Sequence, residues 1–254
     1  MKIGRFGRDG VISFGILDAD AQEWVILKGD PLFAGYETTG ERVGIAAVTL
    51  LAPVIPRSKI VAVGRNYREH AAEFGNAVPE EPMLFLKPNT AVIGPNEPIA
   101  HPGGNVDYEG ELAVVIGRVA KRVTAANALD YVFGYTAAND VSQRDWQKSD
   151  GQWGRAKGFD TSCPLGPVIE TEIDASKLGI QTRLGGAVRQ NSNTALLVHP
   201  IPMLIEFISA AMTLLPGDVI LTGTPAGVGR IEPGDIVEVE IEGIGILRNP
   251  VVAA

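Results

Sequence analysis

The chain of 254 residues carries a formal net charge of −8, with 45% hydrophobic and 20% charged residues, which suits one large core or a main domain with a small appendage. The acidic balance and the lack of any basic run argue against a nucleic-acid partner; no apolar run reaches the roughly 18 residues of a membrane span and MKIGRFGRDG has no apolar signal core, so a cytoplasmic protein without membrane association is expected. A single cysteine, Cys163, excludes an intrachain disulfide and a thiolate cluster, and the three histidines, His70, His101 and His199, have no His neighbour at zinc-ligand spacing.

In chain order, Arg8-Asp9-Gly10 is a hairpin signal between two β-type runs, and further such runs follow. The two prolines of Leu51-Ala-Pro-Val-Ile-Pro56 resist regular structure, so 1–55 is expected to be a small N-terminal β subdomain and 56–254 the main domain. Ile60 to Val63 reads as a buried strand stopped by Gly64. A short helix follows, with Asn66 as its expected N-cap, Glu69 three residues on and Gly75 beyond its end. His70 and Glu73, at i and i+3, share a helix face. They are either a solvated surface pair or a dyad in which the carboxylate orients an imidazole that takes a proton from water. The loop 76–82 makes this segment a reasonable mobile lid. Met83 to Leu86 is a further strand, ending at Lys87-Pro88.

The stretch Val106 to Gly117, read as one strand, places Val106, Tyr108, Leu112, Val114 and Ile116 on one face and begins the other with Asp107, Glu109 and Glu111. Carboxylates on one face lie roughly 7 Å apart and repel unless water or a cation intervenes. Either this is an edge strand with its acids in solvent, or a hard divalent cation sits there, held by two of the acids and a third from elsewhere. Asp140, at the end of a strand over 132–138, is a natural third ligand; its alternative role is an N-cap for the segment 141–147. Gly185-Gly186 marks a hairpin turn, and Pro202 opens an apolar helix with Leu204, Ile205, Ile208 and Met212 on its core stripe. The loop Leu221 to Gly229 lacks the spacing of a nucleotide fingerprint. It either lets backbone N–H groups and the Thr224 hydroxyl approach an anion, or is a mere connection.

Gly64-Arg-Asn-Tyr-Arg-Glu-His-Ala-Ala-Glu73, Leu84-Phe-Leu-Lys-Pro88, Asp107-Tyr-Glu-Gly-Glu-Leu112, Asn139-Asp-Val141, Lys157-Gly-Phe-Asp-Thr-Ser-Cys-Pro164 and Leu221-Thr-Gly-Thr-Pro-Ala-Gly-Val228, taken together and in order, resemble the fumarylacetoacetate hydrolase family. The resemblance implies a mainly β (α+β) fold with few short helices, a mixed β-sheet roll, and a homodimer. It also implies Mg²⁺ or Mn²⁺ held by Glu109, Glu111 and Asp140. Carried over residue by residue, it makes Lys157 the stabiliser of an enolate, helped by Gln147, with Arg144, Tyr67 and Thr224 gripping substrate and His70 and Glu73 activating or positioning water. The implied activity is C–C cleavage of a small 2-oxo acid with release of pyruvate, by an acylpyruvate or fumarylpyruvate hydrolase or an oxaloacetate decarboxylase. Alternatives are isomerisation or decarboxylation of a hydroxylated dienedioate, such as 2-hydroxyhepta-2,4-diene-1,7-dioate, and a non-catalytic module that binds a dicarboxylate.

Overall fold

Val11–Asp18 folds back on Lys2–Arg8 through Asp9 and Gly10, which take the positive φ values of 51° and 80° that the hairpin signal predicts. In the computed structural model, which describes residues 1–254, this hairpin begins a mixed sheet of 12 strands. Ten of these run in the order Thr38–Gly44, Glu23–Leu27, Val11–Asp18, Lys2–Arg8, Cys163–Glu170, Val132–Asn139, Gly110–Ile116, Val219–Leu221, Ile60–Gly64 and Met83–Lys87, while Thr49–Leu51 pairs with Lys2–Arg8 and Val92–Ile93 with Cys163–Glu170 off this path. Neighbours on this path are antiparallel except Val219–Leu221 and Ile60–Gly64, which pair in parallel. The N-terminal strands therefore extend the sheet that carries the central strands, with Ile3 opposite Ile169.

A five-stranded sheet contains the two hairpins Gly179–Leu184 with Ala187–Asn193 and Ile236–Ile241 with Gly245–Ala253, and Ile99–His101 pairs with the last of these. Val237, Val239 and Ile241 alternate inward, as their period-2 spacing predicts. Val239 and Ile241 meet Leu112, Val114 and Ile116 and the helix Ile201–Ala211, whose Leu204, Ile205 and Ile208 are fully buried in the same core, while Val237 enters a smaller one with Val106 and Tyr108. Met212 lies just past that helix and is only partly buried.

Gly110–Ile116 is greasy on both sides. Ala113 and Val115 enter a second core with Ile60, Ala62, Val219 and Leu221, so the strand is sandwiched and every residue in it is buried.

The continuous strand expected over 106–117 is interrupted at Glu109. Val106–Tyr108 leaves the large sheet and joins Ser142–Gln143 and Gly229–Arg230 in a three-stranded one. The cause is side-chain competition for the ladder. Asn139 Oδ1 accepts from Glu109 N–H at 2.9 Å, and Gln190 Oε1 accepts from Gly110 N–H at 3.0 Å. A Cβ at residue 110 would collide with Thr182 Oγ1, so only glycine lets the two sheets approach this closely.

Candidate active site

The break at Glu109 turns two acids inward at the junction of the sheets. Glu109, Glu111 and Asp140, each no more than 4% exposed, bring one carboxylate oxygen apiece within 4.8 Å of the others. Asp140 follows the strand Val132–Asn139, and its N–H donates to Glu109 O at 2.8 Å, which ties it to the break. It caps no helix. The next helix is Arg144–Ser149, and Gln143 Oε1 caps it by accepting from Trp146 N–H at 2.7 Å. Asp107, expected on the same face as the two glutamates, is drawn away by Arg144 Nε at 2.7 Å.

Lys157 Nζ donates to Glu109 Oε2 and Asp140 Oδ2, both at 2.7 Å. Burial alone would raise the Glu109 carboxyl, but the Lys157 ammonium and the Arg144 guanidinium outweigh it and hold this group well below the usual range. Glu111 has no cation of its own and accepts one hydrogen bond, from Gly223 N–H at 2.6 Å. Burial first, then the nearby Asp140 and Glu109, push it well above the usual range. A buried, undercompensated carboxylate converging with two others is the donor set of a hard divalent cation, so the residues present fit Mg²⁺ or Mn²⁺.

These groups line a cavity of about 390 Å³ whose other walls include His70, Phe74, Phe85, Trp153 and Thr224. His70 lies in the helix Arg68–Glu73. The N-cap expected at Asn66 is absent, because Asn66 is fully buried and its side chain instead clasps the chain across the site, donating to His199 O and Thr222 O and accepting from His199 N–H. His70 Nδ1 is 3.4 Å from Glu73 Oε2 but not aligned for a hydrogen bond. Glu73 also accepts from Gly227 N–H at 3.2 and 3.3 Å. Burial lowers the pKa of His70 more than Glu109 and Glu73 raise it, so the ring is held neutral.

The remaining expected residues divide. Arg144, Gln147 and Thr224 line the cavity, but Arg144 grips Asp107 and Glu109, its Nη2 donating to Glu109 Oε1 at 2.6 Å. Its Nη1 donates to Gln147 Oε1 at 2.9 Å. The Thr224 hydroxyl donates to Gly110 O and accepts from Gln190 Nε2. Tyr67 is not in the wall; it is 2% exposed and lines a neighbouring cavity with Leu197 and Pro225.

Two residues escaped the reading of the sequence. Gln190, fully buried, reaches from the five-stranded sheet to Gly110, Thr224 and Pro225; nothing in its exposed strand marks it. Lys87 donates to Asp140 Oδ1 at 2.6 Å, and the lone charge ending the apolar strand Met83–Lys87 was its signal.

Comparison with known proteins gives a match to the fumarylacetoacetate (FAA) hydrolase C-terminal family over residues 59–252, and to an Rv2993c-like N-terminal family over 1–53. The chain is similar to the solved structure of a 5-carboxymethyl-2-hydroxymuconate delta-isomerase from Mycobacterium smegmatis, 50% identical with all of both chains covered and a TM-score of 0.93. It is similar to the mitochondrial oxaloacetate tautomerase of Xenopus laevis, 45% identical over 81% of this chain and 69% of that protein. A fumarylpyruvate hydrolase from Pseudomonas aeruginosa, solved with Mn²⁺ and pyruvate, is 33% identical over 79% of this chain and 91% of its own, with a TM-score of 0.74.

Proposed function

The chain belongs to the fumarylacetoacetate hydrolase family, and from that premise we propose that it cleaves a C–C bond in a small 2-oxo acid, with Mg²⁺ or Mn²⁺, to release pyruvate. The observation that carries this is the buried triad Glu109, Glu111 and Asp140 beside Lys157, in one cavity with a neutral His70. Held by the triad, the cation would polarise the 2-oxo carbonyl and carboxylate of the substrate as a Lewis acid.

The protein's own groups supply the rest. Nδ1 of His70 is turned towards Glu73, which leaves Nε2 to take a proton from water. The water oxygen adds to the C4 carbonyl of an acylpyruvate, and collapse of the adduct breaks the C3–C4 bond to give a carboxylic acid and pyruvate enolate. Lys157 stabilises the negative charge on the enolate oxygen, and the His70 imidazolium returns its proton to C3. For oxaloacetate, loss of CO₂ reaches the same enolate without the water.

A second reading, proton transfer between the enol and keto forms of such an acid, is favoured by the higher identity to the isomerase and the tautomerase. It uses the same triad and the same base.

The test is pyruvate release from acetylpyruvate and from oxaloacetate, with Mn²⁺ or with chelator, in wild type and His70→Ala, after subtracting the metal-only background. Loss of acetylpyruvate cleavage with His70→Ala supports hydrolysis. Decay of the oxaloacetate enol without pyruvate transfers the assignment to tautomerisation. Stabilisation by a dicarboxylate with no turnover leaves a binding module.

A further inference from the structure

Two buried lysines meet Asp140, and they meet different oxygens. Lys157 lines the cavity and takes Oδ2. Lys87 is not part of the cavity wall. Its side chain is fully buried, and its ammonium is fixed between two acceptors, Asp140 Oδ1 at 2.6 Å and Ser162 O at 2.9 Å. Ser162 is itself tied in place, since its carbonyl also accepts from Val141 N–H and its hydroxyl donates to Lys157 O.

We propose that Lys87 is a positioning residue of the metal site. It commits Asp140 Oδ1 to the protein, so that the carboxylate stands in one rotamer and offers a single oxygen, Oδ2, to the cavity. The inference rests on the triad being a divalent-cation site.

The physical argument is one of alternatives. A buried lysine requires heavy desolvation, and an apolar side chain of the same length would fill the space at the end of an apolar strand more cheaply. What an apolar side chain cannot do is fix a carboxylate. An unbraced aspartate at the end of a strand can rotate about χ1 and χ2 and present either oxygen or both, which loosens a ligand set whose distances must hold to a few tenths of an ångström. Groups that brace ligands in this way typically change metal affinity about 10–100-fold when removed.

Elsewhere the fold contains a lysine on a second buried aspartate, Lys59 with Nζ 2.6 Å from Asp218 Oδ2, where Asp218 also accepts from Lys59 N–H and Leu215 N–H. That pair closes a turn and is outside the cavity wall, which makes it the control for a purely structural lysine–aspartate pair.

The experiment measures Mn²⁺ binding by calorimetry on metal-free protein without substrate, with thermal unfolding of the metal-free forms in parallel. Wild type, Lys87→Met, Lys87→Arg and Lys59→Met are compared. The expected result is an affinity lower by about 10–100-fold in Lys87→Met, while Lys59→Met loses stability and binds as wild type. Lys87→Arg keeps the charge but replaces a point donor with a planar fork. It is expected to bind as weakly as Lys87→Met, and it carries the test alone if the Met variant does not fold.

Wild-type affinity in Lys87→Arg would show that charge matters and position does not. Affinity in Lys87→Met that is unchanged or tighter than wild type would show a lysine that only supports the fold or repels the cation. Either result overturns the proposal. Absence of Mn²⁺ binding in wild type would instead overturn the metal-site reading itself.

Discussion

Glu109→Gln and Glu111→Gln, two residues apart and chemically identical, are expected to move the metal-free protein in opposite directions. With carboxylate oxygens within 4.8 Å of one another and an effective dielectric constant near 20, each like-charge neighbour repels an ionised Glu111 by at least about 3.5 kcal/mol. Glu109 is largely compensated by Lys157 and Arg144, and Asp140 by Lys157 and Lys87. The residual repulsion on Glu111 is therefore roughly 1–2 kcal/mol. Removing it raises the midpoint of thermal unfolding by roughly 2–6 °C for a chain of this length.

Glu109→Gln has the other sign. It takes from Lys157 and from Arg144 one of the two carboxylates that each contacts, leaving Asp140 and Asp107, a loss of about 3 kcal/mol that lowers the midpoint by roughly 6–12 °C. Saturating Mn²⁺, at about 100 times its Kd, adds about 2.7 kcal/mol to wild type, and to neither variant. Differential scanning fluorimetry with chelator and with Mn²⁺ reads all four shifts. Two variants that move together without metal would refute the charge assignment, and a Glu111→Gln protein that still responds to Mn²⁺ would refute the triad.

Three further outcomes are expected. Burial holds the pKa of His70 below the ordinary imidazole value, so its stabilising contribution is fully present above the unfolded pKa of about 6.5 and is lost as pH falls through the folded one. The acid limb of kcat/KM then falls below pH 6.5 or so, and a limb centred above that value counts against a neutral His70 as the base. Cys163 is fully buried, and burial pushes its thiol up to about 12. Iodoacetamide at neutral pH is therefore expected to label it only after denaturation, and rapid native labelling would contradict the placement. Gln190→Leu strands Gly110 N–H and leaves Pro225 O without its donor. It should cost about 1–3 kcal/mol per stranded group and weaken Mn²⁺ binding, whereas unchanged binding would remove Gln190 from the support of the site.

Local pattern made much of this legible. Alternation marked Val237, Val239 and Ile241 as inward, and the i, i+3 spacing put His70 beside Glu73. Glu109 and Glu111 stood out as candidate ligands because the two acids are close in sequence, and the structure brings them together with Asp140. What could not be read was partnership over long sequence separation. Asp107 looks equivalent to Glu109 until the chain is seen to leave the large sheet before Glu109, which places Asp107 in the three-stranded sheet and outside the cavity wall. Asn66 has the residue type of a helix cap, yet residues 199 and 222 claim its side chain. Arg144, read as a grip for substrate, is held by two carboxylates of its own chain. In each case a polar group had several candidate partners, and tertiary packing chose among them.

The interruption at Glu109 also creates a pair of unusual amides. The N–H groups of Glu109 and Gly110 are held by the side chains of Asn139 and Gln190, whereas Ala113 to Val115 lie in register on a strand at either side. Side-chain acceptors let go by rotating about a few single bonds, while a ladder releases its protons only when neighbouring strands part. Deuterium should therefore enter at 109 and 110 through small local openings, long before the flanking strand exchanges. These two amides are natural reporters of how firmly the seam between the sheets is closed, and a ligand that tightens the seam will be visible there first.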